Sequence, residues 1–176
     1  MARLFVAIRP TAPVREALSA AMGGVAGARW QYDEQLHLTL SFIGEADGRR
    51  QAALEQALEW VESEPFAAEV AGVGHFERKG APAAIWAAVP LSPALAVLQQ
   101  RVERACHLAG LATEKRTFRP HITLARLARS AGAAGEWLVR HGTLRAGPWS
   151  VTGFTLYESR LHPHGAAHEP LVDYEF

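Results

Sequence analysis

Apolar positions along the chain follow two spacings, one of two residues and one near the helical 3.6, and the two alternate in a regular order. Arg3 to Ile8 reads as a strand. Thr11 suits an N-cap, and Val14, Leu18 and Ala21 then recur at helical spacing. Leu36 to Ile43 alternates as a strand does, and Asp47 can cap a helix that carries Leu54, Ala57, Leu58 and Val61 on one face. Phe66 to Val73 and Ala84 to Val89 read as strands. Ser92 followed by Pro93 starts a helix with the apolar stripe Leu95, Leu98, Val102, Cys106 and Ala109, which Gly110 ends. Ile122 to Leu127 is a strand, a shorter helix is read from Gly132 to Arg140, and Ser150 to Tyr157 and Leu171 to Phe176 close the chain as strands.

This order repeats. Strand, helix, strand, helix, strand runs from residue 3 to 73 and again from 84 to 157. Phe5 and Trp86 are 81 residues apart, His37 and His121 are 84 apart, and so are Val70 and Phe154. The reading is one domain over 1–176, built of two similar lobes about an approximate two-fold axis and finished by a C-terminal strand. No Pro/Gly/Ser linker separates the lobes, so they are expected to share a core.

Length and composition fit that reading. The chain has 176 residues, 49% hydrophobic and 20% charged, enough to bury a core without disulfide or metal. Cys106 is the single cysteine, so an internal disulfide framework is excluded. The apolar run Leu4 to Ile8 stops at Arg9 and Pro10, shorter than a signal-peptide core, and no run approaches the length of a membrane span. The expected location is the cytoplasm, and the expected state a monomer with no membrane partner. Net charge is zero, which does not favour nonspecific binding to long nucleic acid. Between Thr113 and Arg145, however, Lys115, Arg116, Arg119, Arg126, Arg129, Arg140 and Arg145 face only Glu114 and Glu136, a local +5. By itself such a window reads as a solvated face. It also fits a small anionic ligand or one nucleic-acid end.

The second strand of each repeat carries the same short pattern, His37-Leu-Thr-Leu40 and His121-Ile-Thr-Leu124. Residues two apart share a strand face. His37 with Thr39, and His121 with Thr123, can therefore line a cleft while Leu38, Leu40, Ile122 and Leu124 anchor the strands. Two imidazoles near pH 7 can divide into one neutral and one protonated ring, a base and an acid. Two hydroxyls can donate to phosphate oxygens as charge develops. Neither motif has a carboxylate beside it, so no metal and no cofactor are expected. A lone His-x-Thr triplet is weak; two in the same element of a repeat are stronger.

With their surroundings, these motifs resemble the two-histidine (2H) phosphoesterases, in particular the bacterial and archaeal RNA 2',3'-cyclic phosphodiesterase branch, also called the 2'-5' RNA ligase family. The resemblance extends over Arg-Leu-Phe-Val-Ala-Ile at 3–8, Leu36-His-Leu-Thr-Leu-Ser-Phe-Ile-Gly44, Gly-x-Gly-x-Phe at 72–76, Ile85-Trp86, Phe118-Arg-Pro-His-Ile-Thr-Leu-Ala-Arg126 and Phe154-Thr-Leu-Tyr-Glu-Ser159. It implies an α+β, bilobal fold with two antiparallel sheets around a central cleft and helices on the outer faces. It implies hydrolysis of a terminal 2',3'-cyclic phosphate, on RNA or on a nucleoside 2',3'-cyclic phosphate, to a 2'-phosphate. It makes His37 the proton donor and His121 the proton acceptor; the residues themselves yield the pair without the assignment. It also places Arg126 and Phe42 near substrate. A guanidinium can pair with phosphate or stack on a base. Strict alternation puts Phe42 with Leu38 and Leu40, away from His37, unless the strand bends near Gly44.

Two other readings stay open: a 2'-5' RNA ligase that joins RNA ends, and a non-catalytic module that holds an RNA end. High water concentration favours hydrolysis over ligation, and two intact motifs argue against a module without turnover. Other features are read as structural. His162, His164 and His168, with Pro163 and Gly165 among them, read as a surface loop. His75, His107 and His141 are isolated. Cys106 reads as a buried, inert thiol, and most of the five tryptophans as core.

Overall fold

The amino-terminal strand, β1 (Ala2–Ile8), sets the layering. Leu4, Val6 and Ile8 enter the main core on one side, while Phe5 and Ala7 form a small cluster with Tyr157 on the other. The computed structural model describes residues 1–176. After β1 come α1 (Ala12–Ala20), β2 (Ala28–Trp30), a 3-10 turn (Asp33–Gln35), β3 (Leu38–Ala46), α2 (Gly48–Glu59), β4 (Phe66–Ala71), β5 (Val73–Arg78) and β6 (Ala81–Ala88). They are followed by α3 (Pro93–Leu108), β7 (His121–Leu127), α4 (Gly135–Arg140), β8 (Arg145–Val151), β9 (Gly153–His162) and β10 (Gly165–Glu175).

The fold is α+β, with two antiparallel sheets and helices packed on the core side. The larger, eight-stranded sheet has the order β10-β9-β1-β3-β7-β6-β5, with β2 beside β7; the smaller pairs β4 with β8. Strands of both lobes thus meet in one large sheet. They join at β3 and β7, where Leu38 pairs with Ile122. Those two residues are 84 apart in sequence, the same offset as His37 and His121. Val14 and Leu18 of α1, Leu54 and Leu58 of α2, and Leu95, Leu98, Val102 and Cys106 of α3 pack in a single core with Leu38 and Ile122. No helix is long and apolar enough to cross a membrane.

Alternation is interrupted at the corresponding place after each His-x-Thr motif, and a second time in β3 at Ile43. In β3, Thr39 pairs with Ala7 and Ser41 with Val6, which leaves Leu40 as the extra residue of a bulge. In β7, Thr123 pairs with Trp86 and Ala125 with Ile85, which leaves Leu124 in that role. A bulge exchanges the faces of the residues after it. Ser41 and Ala125 therefore turn into the core, and Phe42 and Arg126 turn to the face that carries Phe5. The freed carbonyls find partners: the side chain of the buried Gln99 donates to Leu40 O (3.5 Å), and Gln31 N donates to Leu124 O (2.8 Å).

Four expectations need correction. The strand read over Ser150–Tyr157 joins two, since β8 ends at Val151 in the small sheet and β9 begins at Gly153 in the large one. The strand read over Phe66–Val73 is two, because Gly72 adopts φ +91° and sends β4 to the small sheet and β5 to the large one. Phe42 reaches the cleft face through the bulge at Leu40, before any bend at Gly44. The segment around His162, His164 and His168 is no surface loop. His162 ends β9, His168 lies within β10, and the two strands form a hairpin that turns at Pro163 and His164. That hairpin's polar, half-exposed positions lack the period-two apolar signal by which a strand is recognised. Cys106 is as expected: it is buried, and burial pushes its thiol up to about 11.

Caps distinguish the helices. Asp47 accepts from Arg50 N at 2.8 Å, and Ser92 accepts from Leu95 N at 3.1 Å. Thr11 stands at its N-cap without a side-chain bond. Asp47→Ala and Ser92→Ala should each lower stability by about 1 kcal/mol in urea unfolding, and Thr11→Ala by clearly less.

Candidate active site

The Leu38–Ile122 pair builds the site. Its register sets His37 opposite Thr123 and Thr39 opposite His121, all on the face away from the core. All four side chains are half-buried. The two imidazoles and two hydroxyls are thereby brought together, and each ring lies close enough to Arg126 for its charge to disfavour the ring's protonation.

Each histidine is oriented by the chain just before it. His121 Nδ1 makes a 2.7 Å hydrogen bond to Arg119 O. A carbonyl only accepts, so Nδ1 carries the proton and Nε2 is free for chemistry. The backbone of Gln35, two residues before His37, lies close enough to favour the protonated form of that ring. The 3-10 turn containing Gln35 is held from several sides. Arg9 and Arg15 reach Asp33 at 2.8 and 2.9 Å. Gln35 Oε1 accepts from Tyr32 N at 2.9 Å, and Gln35 Nε2 donates to Ala166 O of β10 at 2.7 Å.

Aromatic rings wall both histidines. Phe5 lies 4.9 Å and Tyr157 6.3 Å from the His37 ring, centroid to centroid. Phe76 stands edge-on to His121 at 4.9 Å, and Trp86 lies 5.6 Å away. Gly74 permits that placement of Trp86, because a Cβ there would run into the indole. The walls make charging expensive. Burial holds His37 down to about 3, and His168 and Arg126 push the same way. His121 is also lowered, first by burial and then by Arg126 and Arg119. Burial and the nearby arginines thus favour the neutral form of both rings.

Phe42 is 45% exposed with its ring 6.0 Å from Phe5, so it forms an open edge of the cleft. Arg126, also exposed, stands opposite Arg29 of β2. Two like charges in register repel each other, and an anion between them removes that cost. Sequence reasoning missed Arg29, because its three-residue strand is too short to show a period. It also set aside His168, whose ring lies 4.9 Å from that of His37. His75, likewise set aside, pairs with Glu77 at 3.3 Å.

The chain matches the 2'-5' RNA ligase superfamily over residues 10–163. It belongs to that superfamily. An RNA 2',3'-cyclic phosphodiesterase of Archaeoglobus fulgidus is 30% identical over 176 residues, covering 98% of this chain and 99% of the relative. Another, of Geobacillus stearothermophilus, is 32% identical over 164 residues, or 90% of this chain; that alignment spans about half (51%) of the relative's length. Among solved structures, TT0787 of Thermus thermophilus superposes with a TM-score of 0.78 at 27% identity, covering 98% of this chain and 97% of that one. E. coli LigT complexed with 3'-AMP has the same fold, with a TM-score of 0.78 at 24% identity over 99% of this chain and 98% of that one.

The depressed histidines have a consequence for stability. Unfolded, His37 and His121 regain an ordinary value near 6.5. Below it the unfolded chain binds protons that the folded chain does not, so stability is full above about pH 6.5 and is lost as pH falls toward the folded value of His37, about 3. The thermal midpoint should drop between about pH 7 and about pH 4, and should drop less in His37→Gln, as followed by circular dichroism.

Proposed function

We propose that this protein hydrolyses a 2',3'-cyclic phosphate, at an RNA 3' end or on a nucleoside 2',3'-cyclic phosphate, to the 2'-phosphate. The observation that carries the reading is the diagonal set of two histidines and two threonines at the Leu38–Ile122 junction, in a chain whose relatives bear that activity in their names. The phosphate sits between the rings, with the Thr39 and Thr123 hydroxyls donating to its non-bridging oxygens. Arg126 approaches it from the β7 side, and Phe42 offers its exposed ring to the base. His121, its Nδ1 proton committed to Arg119 O, takes a proton from water at Nε2. The water oxygen forms a bond to phosphorus, the bond from phosphorus to the 3'-oxygen breaks, and His37 gives that oxygen its proton. His37 ends neutral and His121 protonated, and exchange with solvent resets both.

His37 is the ring that burial makes harder to charge. Its acid role therefore depends on the bound phosphate, whose negative charge favours the imidazolium. A single domain over 1–176, with repeats 3–73 and 84–157 acting as a monomer, belongs to the same proposal, and the shared core supports it. The superfamily's name supports a second reading, joining of RNA ends through a 2'-5' bond by the same groups in reverse.

The test is incubation with a nucleoside 2',3'-cyclic phosphate and identification of the product by phosphorus NMR. A 2'-phosphate with a free 3'-hydroxyl is expected, in excess EDTA as without it. A 3'-phosphate product overturns the regiochemistry, and loss on chelation with recovery on added metal overturns the mechanism. His37→Ala and His121→Ala should each lower turnover by ~10²–10⁴, with the double variant little worse than either. Thr39→Ala and Thr123→Ala should be milder. A folded His37→Ala or His121→Ala protein with near wild-type turnover removes that histidine from the chemistry.

The pH profile carries a sign. The profile of kcat/KM reports the free protein, in which both rings lie below the ordinary histidine value, so its maximum should fall on the acid side of about 6.5. The profile of kcat reports the complex, in which the phosphate raises both rings, and should lie at higher pH.

A further inference from the structure

We propose that His168 is a third histidine of this cleft, whose Nε2–H donates a hydrogen bond to the substrate phosphate on the His37 side. The proposal rests on the cyclic-phosphate reading above. β10 places His168 across from Ser159 of β9, on the sheet face that carries Tyr157 and Phe5. The His168 ring lies 4.9 Å from His37 and stands edge-on to Phe5 at 4.9 Å. Gln35, two residues before His37, binds Ala166 O, two residues before His168 on β10, and so ties together the segments that carry the two histidines.

The donor follows from the ring's surroundings. His168 Nδ1 is sealed from solvent and has no hydrogen-bond partner, although the ring as a whole is only half-buried. A sealed N–H is rarer in proteins than a sealed acceptor, so the proton resides on Nε2. Nε2 lies on the opposite edge of the imidazole, toward the open side of the ring. Burial also keeps the ring neutral. The charged and titratable groups that bear on His37 are His168 of β10 and Arg126 and His121 of β7, while burial alone acts on His168. Two hydrogen bonds of about 2.8 Å to one phosphoryl group bridge more than the separation of the two rings. One phosphate can therefore touch both.

A purely structural role accounts poorly for these facts. Phe or Tyr would fill the same place beside Phe5 without stranding a ring nitrogen. The sheet order also shows that β10 has no equivalent in the other lobe, where the sheet ends at β5. His168 thus gives the His37 side a donor that the His121 side lacks, and it breaks the near-symmetry of the site.

The test compares His168→Phe, which keeps a ring and removes the donor, with His168→Gln, whose amide nitrogen can occupy the place of Nε2. Wild type and both variants are assayed for kcat/KM on a nucleoside 2',3'-cyclic phosphate and for Kd with adenosine 2'-phosphate, with folding checked by circular dichroism. His168→Phe should lose about tenfold or more in both measurements, and His168→Gln should recover most of it. Full activity and affinity in His168→Phe overturn the proposal. So does a His168→Gln protein as impaired as His168→Phe, because a donor would then not be what the site requires. His37→Ala is assayed alongside. If it retains turnover, the acid-base reading fails, while the Kd comparison still decides the role of His168.

Discussion

Leu38 and Ile122 meet backbone to backbone where β3 pairs with β7, with both side chains fully buried. Once they are paired there, the neighbours of each residue must project to the opposite face, and those neighbours are His37, Thr39, His121 and Thr123. Chemistry and core thus share one constraint: the apolar residues that hold the lobes together alternate with the polar residues that line the cleft. The bulges at Leu40 and Leu124 act on this frame. Each exchanges the faces of the next residues in its strand, so that a small residue, Ser41 or Ala125, enters the core while a large one, Phe42 or Arg126, reaches the cleft. The same device in both lobes yields an aromatic ring on one side and a cation on the other.

The walls of the cleft impose a second constraint. Phe5, Tyr157, Phe76 and Trp86 surround the imidazoles with rings that offer charge little solvation. In the free protein both histidines lie below their ordinary pKa. Arg29 and Arg126, in register on neighbouring strands, contribute unrelieved positive potential close by. Both effects are eased by the same event, the arrival of an anion. On the proposed reading, such a cleft would discriminate for phosphate through the energy of its empty state as well as through its contacts.

Much of this was legible in the sequence. The period of two in β1, β3 and β7, the apolar stripe of α3 and the caps at Asp47 and Ser92 are local properties, and the structure reproduces them. The two His-x-Thr motifs were legible because the repeat places them at one offset. Alternation alone set Phe42 on the far face from His37, because a bulge depends on how a neighbouring strand pairs and leaves no trace in the alternation of its own strand. Gln99 read as nothing in particular, since its partner, the freed carbonyl of Leu40, exists only after β3 and β1 have paired.

His168 and Arg29 mark where sequence reading ends. Both lie on strands with little apolar periodicity, and each gains meaning only from a residue far away in the chain: His37 for the one, Arg126 for the other. The sequence by itself determined the periods of the main strands and helices and, through its resemblance to the family, the class of fold, because spacing and motif are properties of single segments. The tertiary structure alone decided which side chains complete the cleft. Their contacts are made across strands, by register and bulge, and that information resides in pairs of segments and in neither segment alone.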